Sequence, residues 1–516
     1  MNRETALRRL PGERFDVLVI GGGATGLGAA VDAASRGYAT AIIDAGDFAN
    51  ATSSRSTKLV HGGVRYLQQG NVGLVREALR ERAALRRNAP HLVDDLEFVV
   101  PAYRRVDVPY YAVGLAAYDL LAGRSEFGRS RIVSATRARA RIPALRSRGL
   151  RGAVTYHDGQ FDDARLAIAL ARTAVDCGAT VANYVRATGF VYDANRRVVG
   201  VHAVDAESKA ELAIHARVAI NATGIFVDGL RALDEPGAPA LLAHSRGSHV
   251  VVRAAALGHA TAALLIPKTS DGRVLFALPW HGHVVIGTTD VPVPAPESDP
   301  HPSEAEIAYV LETVNGYVDV PLLRADVLAT FAGLRPLVNR RATSTAKLSR
   351  EHLIDVSASG LVTIAGGKWT TYRKMAQDAV DAAARSASLP PAPSRTATLQ
   401  LRGAMSEVVD DDVLRVYGSD ASDLAALVRD EPTLGERLHA DLPYTGAQVV
   451  YAARVEMART VEDVLARRTR ALFLDARAAR ESAPRAASLL ARELGRGAAW
   501  AAEASAAFAR RADAAL

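Results

Sequence analysis

Glycines at a characteristic spacing follow a short apolar run near the start of the chain. Residues 17–20 are Val-Leu-Val-Ile, typical of a buried strand, and the next six residues read Gly-Gly-Gly-Ala-Thr-Gly. In this pattern Gly21 permits a tight turn, Gly23 lets the backbone approach a pyrophosphate, and Gly26 allows close packing of helix on strand. Ala24 and Thr25 are further candidate cofactor contacts in this turn, and the helix that follows would direct its N-terminus at the phosphates. The sequence therefore predicts a dinucleotide site.

An acidic residue follows at the distance where a ribose would be held. A helix is predicted over residues 27–36, and a second strand over residues 39–43 ends at Asp44. A carboxylate about twenty residues beyond the glycines can accept a hydrogen bond from a ribose hydroxyl. These residues alone are compatible with both NAD and FAD.

Two later segments repeat the pattern of a strand that runs into a turn of small residues. The turn residues are Ala222, Thr223 and Gly224 in the first segment, and Gly366 and Gly367 in the second. The second turn opens another predicted helix, whose dipole would favour the negative charge that develops on a reduced flavin. Together the two segments favour FAD over NAD.

Composition limits the classes of protein that fit. The 516 residues are too many for one ordinary core, so we expect two or three domains. Hydrophobic residues make up 49% and charged residues 23%, as in an average folded protein. The single cysteine, Cys177, agrees with a reducing compartment, and no Cys/His cluster predicts a metal site.

The distribution of charged and apolar residues along the chain limits the partners and the location that we expect. A net charge of +7 suits anionic partners, but the cations are scattered and do not alternate with stacking aromatics, which argues against nucleic acid. The charged start of the chain argues against export. The nearest approach to a membrane span, residues 108–121, is too short and contains Asp119, so no spanning helix is expected.

A longer set of motifs resembles a known family. From residue 51 the chain reads Ala-Thr-Ser-Ser-Arg-Ser-Thr-Lys-Leu-Val-His-Gly-Gly-Val-Arg-Tyr-Leu-Gln, and further matching segments follow in order. These segments are residues 247–252, 286–290, 333–337, 366–373 and 460–470. Spread over nearly all the chain, they resemble the aerobic, FAD-dependent glycerol-3-phosphate dehydrogenases. Within the first segment, Arg55 and Thr57 depart from a usually small, Ser-rich stretch.

The resemblance implies an α/β and α+β multidomain fold of the p-hydroxybenzoate-hydroxylase-like kind. A Rossmann-like FAD-binding domain would carry an inserted antiparallel-sheet substrate cap, followed by an α-helical C-terminal domain. The expected bounds are 1–73, 149–221 and 346–388 for the FAD-binding domain, 74–148 and 222–345 for the cap, and 394–516 for the helical domain. The Pro-rich residues 388–394 are typical of a linker, and helical apolar spacing follows them.

The resemblance also implies cofactor contacts beyond the glycine turns and Asp44. These additional FAD contacts are Thr52, Ser53, Ser54, Thr57, Lys58, His61, Gly62, Gly63, Lys368, Trp369 and Thr370. The implied reaction is oxidation of sn-glycerol 3-phosphate to dihydroxyacetone phosphate, with the C2 hydride passing to flavin N5.

A phosphomonoester carries nearly two negative charges, so several cations should converge on the substrate. The resemblance assigns anion binding mainly to Arg65 and Arg335, and both substrate and flavin electrostatics to Lys368. Tyr66 would reach the substrate beside Arg65, and Arg350 would add a further positive charge. His249 is the first choice as general base and His61 the second. Alternatively, the cations lower the pKa of the alcohol and water takes the proton.

Electron transfer out of the flavin implies further partners. The resemblance implies a respiratory quinone and peripheral attachment to the cytoplasmic face of the plasma membrane; a homodimer is also compatible. Residues 109–121 form an apolar, Tyr-bearing segment with flanking arginines, which fits either an interfacial anchor or a core helix of the cap. The alternatives are a glycerol-3-phosphate oxidase that uses oxygen, an oxidase of amines or amino acids, and a flavin-binding protein without turnover.

Overall fold

The glycine-rich turn belongs to a largely parallel sheet. The computed structural model describes residues 1–63, 71–123, 127–269, 272–339, 352–405 and 411–516. The strands of this sheet are β1 (Arg14–Ile20), β2 (Thr40–Ile43), β7 (Thr180–Ala182), β8 (Val185–Tyr192), β9 (Val198–Asp205), β10 (Glu211–Asn221), β17 (His352–Val356) and β18 (Val362–Gly366). Their order is β17-β18-β10-β1-β2-β7, and β9 joins β8 to β10. β1 pairs in parallel with β2 and β10, so their carboxyl ends share one edge.

Helices cover this sheet, which explains why the second half of β1, residues 17–20, is apolar. Val17, Leu18 and Val19 are fully buried. The helices α1 (Arg3–Gly12), α2 (Ala24–Ser35), α6 (Asp163–Asp176) and α9 (Tyr372–Ser386) pack around the strands. Small residues let α2 and α9 approach closely, since a Cβ on Gly28 would lie 2.9 Å from the Tyr372 ring.

A second, mostly antiparallel sheet carries the predicted cap motifs. Its strands are β3 (Leu59–Val60), β4 (Val93–Ala102), β5 (Arg131–Val133), β6 (Gly152–Phe161), β11 (Leu242–Arg253), β12 (Ala263–Ile266), β13 (Leu275–Trp280), β14 (His283–Gly287), β15 (Val291–Val293) and β16 (Val327–Val338). Their order is β15-β11-β14-β13-β12-β4-β6-β3, with β16 beside β11 and β5 beside β6. The helices that accompany it are α3 (Val72–Asn88), α4 (Asp107–Ala122), α5 (Ala135–Arg141) and α8 (Glu304–Asn315), whereas α7 (Val227–Asp234) packs on β8 and β18 of the first sheet.

One expected domain boundary needs correction. β6 pairs with β4 from Val93↔Phe161 to Ala102↔Gly152, so residues 152–161 belong to the second sheet and not to the nucleotide-binding sheet. The sequence did not indicate this strand pairing, because the chain returns from the cap to the nucleotide-binding sheet only after β6, at the helix α6. The other domain bounds stay predictions.

The C-terminal region is helical, as predicted. It contains α10 (Asp412–Arg415), α11 (Ala421–Asp430), α12 (Gly446–Val455), a π-helical turn (Asp463–Arg468), α13 (Ala471–Leu474), α14 (Ala476–Glu493) and α15 (Ala498–Asp513). Its core includes Phe473, which packs against Phe331 of β16 with ring centroids 5.0 Å apart.

The Pro-rich segment before this region packs against the nucleotide-binding sheet. The Tyr38 hydroxyl donates to the Pro390 carbonyl at 2.7 Å, and Arg36 donates to the Ala392 carbonyl at 3.0 Å. Residues 388–394 are therefore an anchored connection. The predicted architecture of a Rossmann-like sheet, an antiparallel-sheet cap and a helical C-terminal region is confirmed.

Candidate active site

Backbone crowding at Gly21 and Gly26, in the first glycine turn, leaves no room for larger side chains at these two positions. Gly21 has φ +112°, and a Cβ there would lie 2.6 Å from the Ala222 carbonyl oxygen. A Cβ on Gly26 would lie 1.8 Å from the Gly21 oxygen. At Gly23, by contrast, the nearest atom to such a Cβ is the Ser53 hydroxyl oxygen, at 3.2 Å. The turn is thus tight at both ends, as a pyrophosphate-binding turn requires.

Asp44, the acidic residue that follows β2, holds this turn through hydrogen bonds. Asp44 accepts hydrogen bonds from Gly22 N at 2.5 Å and from Gly46 N at 2.7 Å. Burial raises the pKa of Asp44 to about 6. Its carboxylate therefore shapes the loop that a nucleotide would contact, and a contact with ribose stays a prediction.

The three predicted turns meet at one edge of the sheet. β10 lies between β1 and β18 and is parallel to both, so residues 222–224 and 366–367 end beside Gly21. Gly224 and Gly366 have φ of +63° and +79°, conformations that favour glycine. This edge is where open α/β sheets bind nucleotides.

The Ser-rich segment, residues 51–61, contacts the third turn, which begins at Gly366 and Gly367. Trp369 donates its indole N–H to the Ser53 carbonyl at 2.9 Å, and Thr370 accepts from His61 N at 3.2 Å. Lys368 directly precedes these two residues on the same turn. The structure thus brings residues 53 and 61 together with the Gly366 turn.

Neighbouring residues tie this segment to the cap. Thr52 donates to the Leu334 carbonyl of β16 at 2.7 Å. Gly62 N donates to the Tyr118 hydroxyl at 2.8 Å, and Gly63 has φ +77°. The segment therefore lies between the nucleotide-binding sheet and the cap, where substrate and cofactor would meet.

Three predicted cofactor contacts have other partners in the structure. The Lys58 side chain is fully buried, and its ammonium donates to Asp163 Oδ2 at 2.7 Å and to the Ser54 carbonyl at 2.9 Å. Ser54 is also buried, at 1% exposure. The Thr57 hydroxyl lies 3.0 Å from His249 Nε2. That these three residues also contact a cofactor stays a prediction.

Arg335 occupies the cap side of the site. Its guanidinium lies 3.1 Å from Asp290 Oδ1 and donates to the Thr289 carbonyl at 3.1 Å. Arg273, which the sequence analysis missed, lies 2.8 Å from Asp290 Oδ2. Asp290 therefore holds two guanidinium groups on the cap side of the site. Arg273 stands in no recognisable motif, so only the fold could reveal it.

His249 is enclosed between two neighbouring strands. Its ring stacks on Phe331 with centroids 4.6 Å apart, and a Cβ on Gly287 would lie 2.3 Å from it. Burial, and then the charges of Lys58 and Arg335, hold the pKa of His249 well below its usual range. The imidazole is therefore neutral, as a base must be, but the same surroundings oppose its protonation.

Arg65, Tyr66 and Arg350 lie outside the described residues. Among the residues that the structure describes, no group of His, Cys, Asp and Glu side chains could hold a metal ion. The described part of the site thus offers nucleotide-binding turns, one neutral imidazole and a pair of arginines.

Comparison with known proteins agrees with this arrangement. Residues 16–373 match the profile of the FAD dependent oxidoreductases, and residues 359–502 match the C-terminal domain of alpha-glycerophosphate oxidase. The mitochondrial glycerol-3-phosphate dehydrogenase of Homo sapiens is 41% identical over 96% of this chain and 72% of its own length. This chain belongs to the FAD-dependent glycerol-3-phosphate dehydrogenase family.

Further members of the family are similar over nearly all of this chain. The probable mitochondrial glycerol-3-phosphate dehydrogenase of Caenorhabditis elegans is 41% identical over 94% of this chain and 71% of its own length. The glycerol-3-phosphate dehydrogenase of Bacillus halodurans, solved in complex with FAD, has 29% identity and a TM-score of 0.81, covering 99% of this chain and 97% of that one. The cofactor of the family is therefore FAD.

Proposed function

We propose that this chain oxidises sn-glycerol 3-phosphate to dihydroxyacetone phosphate. The observation that carries the proposal is the meeting of three glycine turns with β16, the cap strand that carries Arg335. When bound, FAD supplies the acceptor for the hydride that leaves C2 of the substrate. The protein's own residues bind the phosphate, orient the alcohol and take up its proton.

Arg335 and Arg273 supply the positive charge for the phosphate. Both already contact Asp290, so a phosphate would share these guanidinium groups with a carboxylate that holds them in place. A guanidinium fork so fixed loses little conformational entropy when it binds an oxyanion. Lys368, on the turn after Gly367, adds a further cation on the cofactor side.

His249 is the candidate base for the hydroxyl proton. Burial, and then the cations around the imidazole, lower the pKa of His249, and a bound phosphate dianion beside Arg335 would offset that positive charge. The proton affinity of His249 would therefore rise when substrate arrives. His61 remains the second candidate, and water the third.

We propose a respiratory quinone as the electron acceptor and peripheral attachment to a membrane. The support is the exposed face of α4, where Tyr110, Val113 and Leu120 are 63%, 73% and 82% exposed. The opposite face of α4 packs Leu115 and Tyr118 into the cap. No helix in the described ranges is long and apolar enough to cross a bilayer. Residues 109–121 thus combine a core face with a surface that suits an interface.

An anaerobic titration tests the proposed reaction. Glycerol 3-phosphate should bleach the oxidised flavin band of the purified protein, and glycerol, inorganic phosphate and glycine should not. If the flavin stays oxidised with glycerol 3-phosphate, the proposed substrate is wrong. The acceptor is tested separately by supplying a soluble quinone or oxygen. Stoichiometric peroxide would establish an oxidase, whereas quinone reduction without peroxide supports the dehydrogenase.

A further inference from the structure

Thr57 lies beside the imidazole that the proposed reaction uses. Its hydroxyl oxygen is 3.0 Å from His249 Nε2. The other ring nitrogen, Nδ1, is buried; the Phe331 backbone is close to the ring, but no hydrogen bond of good geometry reaches Nδ1 from the described residues. Stacking on Phe331 fixes the plane of the ring but does not distinguish its two nitrogens. The Thr57 contact is therefore the interaction that can set the rotation and the tautomer of His249.

A buried carboxylate fixes both residues that flank Thr57. Asp163 Oδ2 accepts from Ser56 N at 3.0 Å, from the Ser56 hydroxyl at 2.7 Å and from the Lys58 ammonium at 2.7 Å. Lys58 itself has φ +64°, a conformation that side chains other than glycine rarely adopt. With both neighbours held, the backbone of Thr57 has little freedom to move its hydroxyl away from His249.

The C-terminal region completes this support. Arg470, at 1% side-chain exposure, lies 3.0 Å from Asp163 Oδ1 and donates to the Ser54 carbonyl at 2.7 Å. A buried cation or carboxylate that loses its partner is strongly unfavourable, so these pairs specify one arrangement. Arg470 ends the segment 460–470, whose match to the family had no structural explanation in the sequence.

We propose that Thr57 is a positioning residue for His249, held in place by Asp163 together with Lys58 and Arg470. The proposal rests on the proposed oxidation, in which His249 takes the hydroxyl proton of the substrate. A hydroxyl can donate or accept, so Thr57 can remain bonded to Nε2 while the protonation of the ring changes. Loss of this hydroxyl would leave the ring stacked in its place but free to present the wrong nitrogen.

Charged groups approach His249 from two sides. Lys58, paired with Asp163, comes from the Ser-rich segment, and Arg335, paired with Asp290, comes from β16. Each of these cations is held in place by its carboxylate. Because burial and these charges together lower the proton affinity of the ring, a change in ring orientation should also alter the pH dependence of the reaction.

The test compares Thr57→Val, which removes the hydroxyl at nearly constant shape, with Thr57→Ser, which keeps it. The rate of flavin reduction at saturating glycerol 3-phosphate should fall by about a hundredfold in Thr57→Val, with a much smaller change in KM. Thr57→Ser should restore most of the rate and the parental pH profile. Thr57→Ala, a smaller hydroxyl-free variant, should show the same loss as Thr57→Val. Thr188→Val, at an exposed threonine of β8, is the control and should leave the rate unchanged.

A second readout does not depend on turnover. In ¹⁵N-histidine spectra, the signals that disappear in His249→Gln identify His249, and their shifts report its tautomer. These shifts should change in Thr57→Val and return in Thr57→Ser. Parental shifts and rates in Thr57→Val, or a Thr57→Ser as slow as Thr57→Val, would overturn the inference. If the parent flavin is not reduced by glycerol 3-phosphate, the proposed function fails instead, and the spectra still decide whether Thr57 orients the ring.

Discussion

Arg335 Nη1 lies 3.1 Å from Oδ1 of Asp290, the last residue of the segment 286–290. The other carboxylate oxygen of Asp290 is taken by Arg273, at 2.8 Å. Asp290 thus joins two sequence motifs of the cap and an arginine that belongs to neither. The arrangement keeps the guanidinium of Arg335 oriented, with its side chain still 24% exposed.

Arg335→Ala should raise KM and lower kcat together. The lost charge-assisted contact weakens phosphate binding, and the geometry of hydride transfer depends on the same contact. A contact of this kind is worth about 2–3 kcal/mol, so kcat/KM should fall roughly a hundredfold. Steady-state kinetics with glycerol 3-phosphate measure this. The control is Arg9→Ala, at a half-exposed arginine of α1 that pairs with Glu13, which should leave both constants unchanged. Unchanged kinetics in Arg335→Ala would remove Arg335 from the site.

Gly26→Ala should abolish tight FAD binding. A Cβ at this position would lie 1.8 Å from the Gly21 carbonyl oxygen, so α2 would have to move away from the turn. Absorbance of the purified protein gives the ratio of flavin to protein. Gly229→Ala is the matched control, because a Cβ at Gly229 meets no atom within 4 Å. Full flavin content in Gly26→Ala would show that the turn tolerates displacement and is not shaped for a pyrophosphate.

Burial of His91 should make the protein less stable in mild acid. Desolvation, followed by the charge of Arg165, lowers the pKa of His91 from 6.5 to about 4. The unfolded chain therefore binds a proton between these pH values that the folded protein does not, and stability rises with pH across this window. The contribution lost from pH 6.5 to pH 4 is about 3 kcal/mol.

Denaturant unfolding of the parent and of His91→Asn, each at pH 5 and pH 7, isolates this effect. His91→Asn should be less stable than the parent at pH 7 because the packing against Gly403 changes. The gap between the two proteins should narrow at pH 5, because only the parent carries the histidine. An equal gap at both pH values would show that His91 does not titrate in this way.

The sequence predicted the parts of the site that local chemistry determines. The spacing of Gly21, Gly23 and Gly26 depends only on backbone sterics around a turn, and the structure has that turn. The role of Lys58 could not be predicted in the same way. Its partner Asp163 is 105 residues away, and nothing in the segment 51–68 shows that the ammonium is buried.

Pairings between segments that are distant in sequence explain the other contacts that the sequence did not predict. Thr57 meets His249 across 192 residues, and the register that allows it depends on β11 lying beside β16. The assignment of residues 152–161 to the second sheet likewise depends on which strand β6 pairs with, since a buried strand has the same composition in either sheet.

The exposed face of α4 leads to a prediction about membrane binding. Val113 and Leu120 expose apolar side chains, and the arginines nearby, Arg104, Arg105, Arg129 and Arg131, are exposed as well. Apolar groups insert among the acyl chains while cations bind acidic headgroups, so both contribute to adsorption. Val113→Asp/Leu120→Asp should therefore reduce binding to vesicles that contain acidic phospholipid by at least about tenfold, because each change removes apolar area and adds repulsion.

Co-sedimentation with vesicles of neutral and of acidic phospholipid measures this binding. Val356→Asp, at a valine of β17 that is 47% exposed, is the control and should bind as the parent does. Flavin content should be equal in all three proteins, since α4 lies in the cap and not among the nucleotide-binding turns. If the double variant binds vesicles as tightly as the parent, α4 is not the membrane contact. Its exposed apolar face would then need another partner, and the quinone would have to reach the flavin by a different surface.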